Sequence, residues 1–305
     1  MIMIYEKMND CFASMIEKVN SALDESDLYD IFDQLSSISG PTLVTGSGGS
    51  SIVAVFLAKV LQRKNGIIAD FCSCRDIVYR PLDGYENVIA VSYSGSNLGI
   101  KLSFDNDLNH YLFTGNPRPG VQNIVYTMPA ERSYVSVNAT IIPLCILFLY
   151  YMDDKELMME ILRSETDTVS DNTQYEVLSG YETQTAAALL ESSIIEAGIG
   201  TCIVHDKYNY CHGRINITKR SKADMILFVS DNQLDDTLLD VLSQYYDRIL
   251  LLQRRYKDDL ANDFYFSVLS LKLVRNIAET LQIDISDMKE VPDNDRLYLF
   301  DETVK

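Results

Sequence analysis

Two short clusters of glycine and small hydroxyl residues, each following an apolar run, carry the clearest chemical signal in this sequence. The first is Val44-Thr-Gly46-Ser47-Gly48-Gly49-Ser50-Ser51, which leads into a helical pattern opening at Ile52. Glycines let the backbone turn sharply and approach a ligand, and a helix N-terminus presents N–H groups and partial positive charge. Ser50 and Ser51 add neutral donors. The second cluster is Val91-Ser92-Tyr93-Ser94-Gly95-Ser96-Asn97. Its three serines and one asparagine around a glycine make an anion nest with side-chain donors. Converging on one ligand, the clusters would cradle a phosphate-like anion, with Gly48, Ser50, Ser92, Ser94, Ser96 and Asn97 as candidate binding residues. Neither cluster is a nucleotide motif. Ser51 stands where G-x-G-x-x-G needs its third glycine, and no Gly-Lys-Ser/Thr follows. The plain alternative is two ordinary strand-to-helix turns capped by serine and glycine.

The elements around the clusters would have to bring them together. Short apolar runs at Thr42–Val44, Val88–Val91, Tyr111–Phe113 and Asn123–Thr127 read as strands buried on both faces. Helix-length segments such as Ile52–Arg63 lie between them, and strands alternating with helices imply a parallel sheet. Ligands of such sheets bind at the C-terminal strand ends, where the strand order reverses. Upstream, residues 3–37 have helical periodicity, with a helix from Leu28 to Leu35 after the capping types Asp24 and Ser26. The polar stretch Arg163–Gln174 reads as a linker, which divides the chain into 1–165 and 166–305. The pattern then restarts, with strands at Tyr175–Ser179, Met225–Val229 and Ile249–Leu252. Helices are expected at Thr183–Ala197, Asp235–Tyr245 and Asp263–Leu281. The two halves look like an architectural duplication of one α/β design.

Composition narrows the ligand. A chain of 305 residues with 47% hydrophobic content suits two globular α/β lobes. The net charge of −18 argues against nucleic acid as a partner. It also means that neutral hydroxyls and N–H groups must hold any anionic ligand against an unfavourable global field. Six cysteines, Cys11, Cys72, Cys74, Cys145, Cys202 and Cys211, show neither a zinc nor a disulfide-framework spacing, which suits free thiols in a cytosol. The apolar stretch Ala139–Met152 is 14 residues long, short of a membrane span, and reads as a buried helix. Membrane, metal and cofactor are therefore not expected.

Strand–GxGxS–helix, followed about 45 residues later by strand–SxSGx(T/N), resembles the sugar isomerase (SIS) domain. The resemblance implies two flavodoxin-like three-layer αβα SIS domains with parallel sheets in one chain. It places Ser50, Ser92, Ser94 and Asn97 at phosphate-binding positions, Asn97 standing where most members carry threonine. It also implies a catalytic pair. Moving a proton between adjacent sugar carbons needs a carboxylate base, and opening the ring needs an acid/base group. Glu196 ends the predicted helix Thr183–Ala197, and His212 follows 16 residues later in the polar loop Tyr208–Arg214. In the resembled enzymes a base glutamate precedes an HG-containing loop by this interval, and that histidine reaches the active site of a partner subunit.

Carried over, Glu196 is the base and His212 the ring-opening group, with Glu191 an alternative base. Asn209 and Arg214 replace the glutamate and proline that flank the histidine in many isomerases. Arg214 could clamp a second anionic group. Arg132 and Ser136 are further substrate-binding candidates, and Lys289 and Lys305 stand where some relatives use a C-terminal lysine. His110 and His205 read as strand-edge residues. The reading is a sugar-phosphate isomerase or C2-amine deglycase, and the alternative is a non-catalytic phosphosugar sensor. The greasy Ala139–Met152 and N-terminal helices suggest a homodimer with composite sites.

Overall fold

The computed structural model describes residues 12–95, 98–129, 137–230 and 232–285. These form two compact units, one made of residues 14–129 and 138–153, the other of residues 154–285 together with 12, 13 and 137. In the first unit, α1 (Met15–Glu25) and α2 (Leu28–Ser37) precede β1 (Thr42–Gly46), α3 (Gly49–Val60), β2 (Ala69–Ser73) and β3 (Asn87–Val91). Then come α4 (Leu98–Ser103), β4 (Asn109–Thr114), β5 (Gln122–Val125) and α5 (Val137–Met152). All five strands are parallel, in the order β2-β1-β3-β4-β5. Every residue of β1 and β3 is buried, as expected for central strands covered on both faces, whereas β5, expected to be covered likewise, is an edge strand whose one buried residue is Ile124.

The second unit repeats the winding with one strand fewer. It holds α6 (Lys155–Leu162), β6 (Gln174–Ser179), α7 (Gln184–Glu196), β7 (Thr201–Asp206) and α8 (Lys207–Cys211). It continues with β8 (Asp224–Val229), α9 (Gln233–Leu242), β9 (Ile249–Gln253) and α10 (Asp259–Leu281). Its parallel sheet runs β7-β6-β8-β9, the order of the first sheet without its last strand. Each sheet with its flanking helices is a three-layer α/β arrangement.

Three expectations change. The cap of α2 is Asp27, whose carboxylate accepts the Asp30 N–H at 3.1 Å. Ser26 instead donates to the Ala22 carbonyl, closing α1. The polar Arg163–Gln174 stretch is tied down at its end: Ser170 and Asn172 both donate to Asp224 at the start of β8. The apolar α5 needs no second copy to cover it. Ile141, Ile142 and Leu144–Phe148 have no exposed surface in a single chain, and Met15, Val19, Ala22 and Leu23 of α1 are likewise buried. Each such large aliphatic side chain contributes roughly 1.5–3 kcal/mol to this core. Among the described residues no helix is long and apolar enough to cross a membrane.

Candidate active site

The first cluster is shaped by two glycines. A Cβ on Gly46 would stand 2.5 Å from the Ser50 carbonyl oxygen, so only glycine lets the first turn of α3 fold back over the end of β1. Gly48 has φ +58 and faces open space, which is the left-handed region that other residues rarely adopt. It is the N-cap of α3, and among the described residues no side chain is seen capping that helix. The Ser51 N–H and hydroxyl both donate to the Gly48 carbonyl, at 2.9 and 2.6 Å, which locks the turn. The leading N–H groups of α3 are thus presented beside the half-buried Ser50.

The second cluster leaves the sheet at the same level. Thr45 pairs with Ala90 in the β1–β3 ladder, so the two turns emerge side by side, about 4.8 Å apart at their roots. Strand order reverses here, between β2 and β3 on either side of β1. Ser92 is buried, its N–H donates to Phe113, and its Oγ accepts the Gly95 N–H at 3.1 Å. That hydroxyl therefore shapes the turn and keeps its own proton for donation. Gly95, at φ +62, sits where a Cβ would meet the Asn116 carbonyl at 2.9 Å. The Thr45 and Ser103 hydroxyls, 2.8 Å apart and buried, fix α4 to β1.

The structure adds one residue that sequence reasoning missed. Thr114 at the end of β4 and Asn116 in the loop after it donate to the Tyr93 carbonyl, and Arg118 Nη2 of that loop donates to the Ser94 carbonyl at 3.2 Å. A guanidinium thus lies against the second cluster. The available signal was the Gly115-Asn-Pro-Arg-Pro-Gly120 punctuation one strand beyond it. Ser96, Asn97, Arg132, Ser136, Lys289 and Lys305 lie outside the described residues.

The equivalent corner of the second unit is finished differently. At the start of α7, the Thr185 and Ala186 N–H groups donate to the buried carboxylate of Asp263 on α10, at 3.4 and 3.0 Å. After β8, the Ser230 N–H donates to Asp235 at 2.6 Å. The buried Lys207 ammonium lies 2.7 Å from the same carboxylate, and Glu182 accepts from the Ser230 hydroxyl.

Glu196 and His212 both belong to the second unit, at opposite edges of its sheet. Helix α7 runs back from the end of β6, so Glu196 sits at the edge where β7 begins. Strand β7 then crosses to the other edge, where α8 ends and exposed His212 caps it, donating its N–H to Tyr208 and Asn209. Six strand residues span about 20 Å. Burial pushes the Glu196 carboxyl above its ordinary pKa, and a hydrogen bond from Ser192 at 2.8 Å partly offsets this. Burial raises Glu191 as well. Arg214 is exposed and opens the 3-10 turn Arg214–Lys219. His205, read as a strand-edge residue, lies on edge strand β7 yet is buried, 3.5 Å from Glu176.

No family model matches the sequence, and no curated protein matches it. Solved structures do match its fold. The tagatose-6-phosphate ketose/aldose isomerase of Escherichia coli superposes with a TM-score of 0.67 at 15% identity, over 95% of this chain and 96% of that one. The glucosamine-6-phosphate deaminase of Thermotoga maritima gives 0.65 at 14% identity, over 88% and 94%. The C-terminal domain of glucosamine-fructose-6-phosphate aminotransferase from Francisella tularensis gives 0.65 at 12%, over 93% and 98%. The chain is similar along nearly its whole length to these phosphosugar proteins in fold.

Proposed function

We propose that this protein binds a sugar phosphate at the paired turns after β1 and β3 and acts on it by proton transfer, as an aldose–ketose isomerase or C2-amine deglycase. The observation that carries the reading is the helix α3 N-terminus, left without a side-chain cap among the described residues behind positive-φ Gly48 and set beside the Ser92–Gly95 turn. Backbone N–H groups and neutral hydroxyls suit an anion that a chain of net charge −18 would otherwise repel. The full-length fold match to proteins named for hexose 6-phosphates is consistent with this ligand class.

In this reading Glu196 takes the proton from C2 of the open-chain sugar and returns it to C1. On a C2-hydroxyl substrate the result is a ketose. On a C2-amine the same shift leaves an imine that water hydrolyses to ketone and amine. A carboxyl held above its ordinary pKa is a better base for such work near neutrality. His212 opens the ring and Arg214 holds a second polar group of the substrate. Ser96, Asn97, Arg132 and Ser136 complete the ligand contacts. Because Glu196 and His212 lie at opposite edges of one sheet, their cooperation calls for a homodimer in which His212 of a second copy serves the site. No cofactor or metal takes part, and the five cysteines among the described residues, all free, suit the cytosol.

The test is deuterium incorporation at C2 over a panel of hexose 6-phosphates and amino-sugar phosphates, with thermal shift read in parallel. Exchange that disappears in Glu196→Gln supports catalysis. Stabilisation by a phosphosugar without exchange turns the reading to a sensor. Ser94→Ala should cost about 1.5–3 kcal/mol of binding. An unchanged thermal shift would remove the cradle from the proposal.

A further inference from the structure

The second unit contains a buried polar network that the proton transfer above does not use. Glu176 lies on β6 and is 3% exposed. One carboxylate oxygen accepts from the Ser221 hydroxyl. The other accepts from Tyr246 Oη at 2.7 Å and lies 3.5 Å from His205 Nε2. The Tyr246 proton is committed to Glu176, so the Tyr210 hydroxyl, 3.1 Å away, donates to Tyr246. The Tyr210 ring in turn packs on His205, with centroids 5.3 Å apart. Burial pushes the Glu176 carboxyl upward, but the approach of His205 and the hydrogen bonds from Ser221 and Tyr246 outweigh it and hold the pKa below its ordinary value.

An ionised carboxylate in a core is costly unless fully satisfied, and an apolar residue would fill the same space without that demand. The two chain segments that the network reaches are therefore informative. Tyr210 is in the last turn of α8, two residues before His212. Ser221 follows the 3-10 turn Arg214–Lys219. Between these anchors lies a segment that carries the exposed His212, Gly213 (φ +127) and Arg214, with Ile215 partly buried and Thr218 buried, and with no strand pairing of its own. Both ends of that segment are thus tied to one carboxylate on a central strand.

We infer that Glu176 is a positioning residue that fixes the 210–221 segment and through it the aim of His212 and Arg214. The consequence for turnover rests on the function proposed above; the holding of the segment does not.

Full-length wild type, Glu176→Gln and Tyr210→Phe would be compared. Tyr210→Phe removes one hydroxyl from the relay and keeps the fold testable should Glu176→Gln not fold. The chain has 3 histidines, so the His212 imidazole C2 proton can be assigned by comparison with His212→Gln. The variants should shift or broaden that signal and raise amide exchange over 211–220 at least tenfold. Exchange in β6 and β8 should stay unchanged. Turnover should drop at least tenfold in kcat with KM for the sugar phosphate held. An unchanged His212 signal, or exchange that rises equally throughout the unit, would overturn the inference. If the wild type processes no sugar phosphate, the proposed activity fails, while the exchange and His212 measurements still decide whether Glu176 holds the segment.

Discussion

After β1 in the first unit the chain turns on Gly48 into α3, a helix that no side chain among the described residues caps. After β6 in the second unit it turns into α7, whose Thr185 and Ala186 N–H groups donate to Asp263. The neighbouring strands repeat the contrast. Among the described residues, the turn after β3 is held by Ser92, its own N–H groups, Thr114 and Asn116, with Arg118 against it. The turn after β8 donates to Asp235, which also holds the Lys207 ammonium. Two sheets wound in the same order thus present opposite corners. One offers donors, and the other has supplied carboxylates of its own where an anion would bind. The comparison teaches that strand order creates a place for a ligand, and that the side chains around it decide whether the place stays available.

Breaking the closed corner should have the largest effect. Asp235→Ala leaves the buried Lys207 charge with only the more distant Glu182 carboxylate, 3.7 Å away, and should destabilise the protein by about 3 kcal/mol, read from the urea midpoint. Affinity for inorganic phosphate should not change, because the donors of the open corner lie in the other unit. Next comes the open corner itself. Ser50→Ala should weaken sugar-phosphate binding by about 1.5–3 kcal/mol in calorimetry while leaving the urea midpoint within experimental error. Asp263→Ala removes the cap of α7 and should cost about 0.5–2 kcal/mol of stability. In the same variant a newly measurable site for inorganic phosphate would show that the carboxylate was what closed the corner.

The smallest effect is in pH dependence, where two glutamates of the second unit should act in opposite senses. Glu176 has a folded pKa below its unfolded value, so its stabilisation is present above the unfolded value and is lost as pH falls through the folded one. Glu196 has a raised folded pKa, so the folded state gains as pH falls through that value and bears the burial cost of the charge above it. Glu196→Gln should therefore be neutral to stabilising at pH 7 in urea titrations. Glu176→Gln should be destabilising there and lose its effect in acid.

The central strands were legible because residues buried on both faces make unbroken apolar runs, as in Val88–Val91 and Met225–Val229. Strands β2 and β7 were not read, because Asp70 interrupts Ala69–Ser73 and the short run Cys202–Val204 is flanked by polar residues, with buried and exposed positions mixed in both. Helix α6 escaped notice for a related reason: eight residues with a single buried stripe carry little periodic signal. The cradle was readable from Gly46, Gly48 and the serines, since their conformational and donor properties are local. Arg118 was not, because its role depends on which loop lies next to the Ser94 carbonyl.

By itself the sequence determined that neutral turns after buried strands must carry any anion in so acidic a chain. It also set the alternation of strand and helix that makes both sheets parallel. Both follow from residue type and short spacing. Only the tertiary structure decided that one corner stays open while the other is closed. Asp263 caps a helix 77 residues earlier in the chain, and pairings over that separation are fixed by packing, which leaves no local trace. The same holds for Glu196 and His212. Their spacing was visible along the chain, but the direction of α7 and β7 sets them at opposite edges of one sheet.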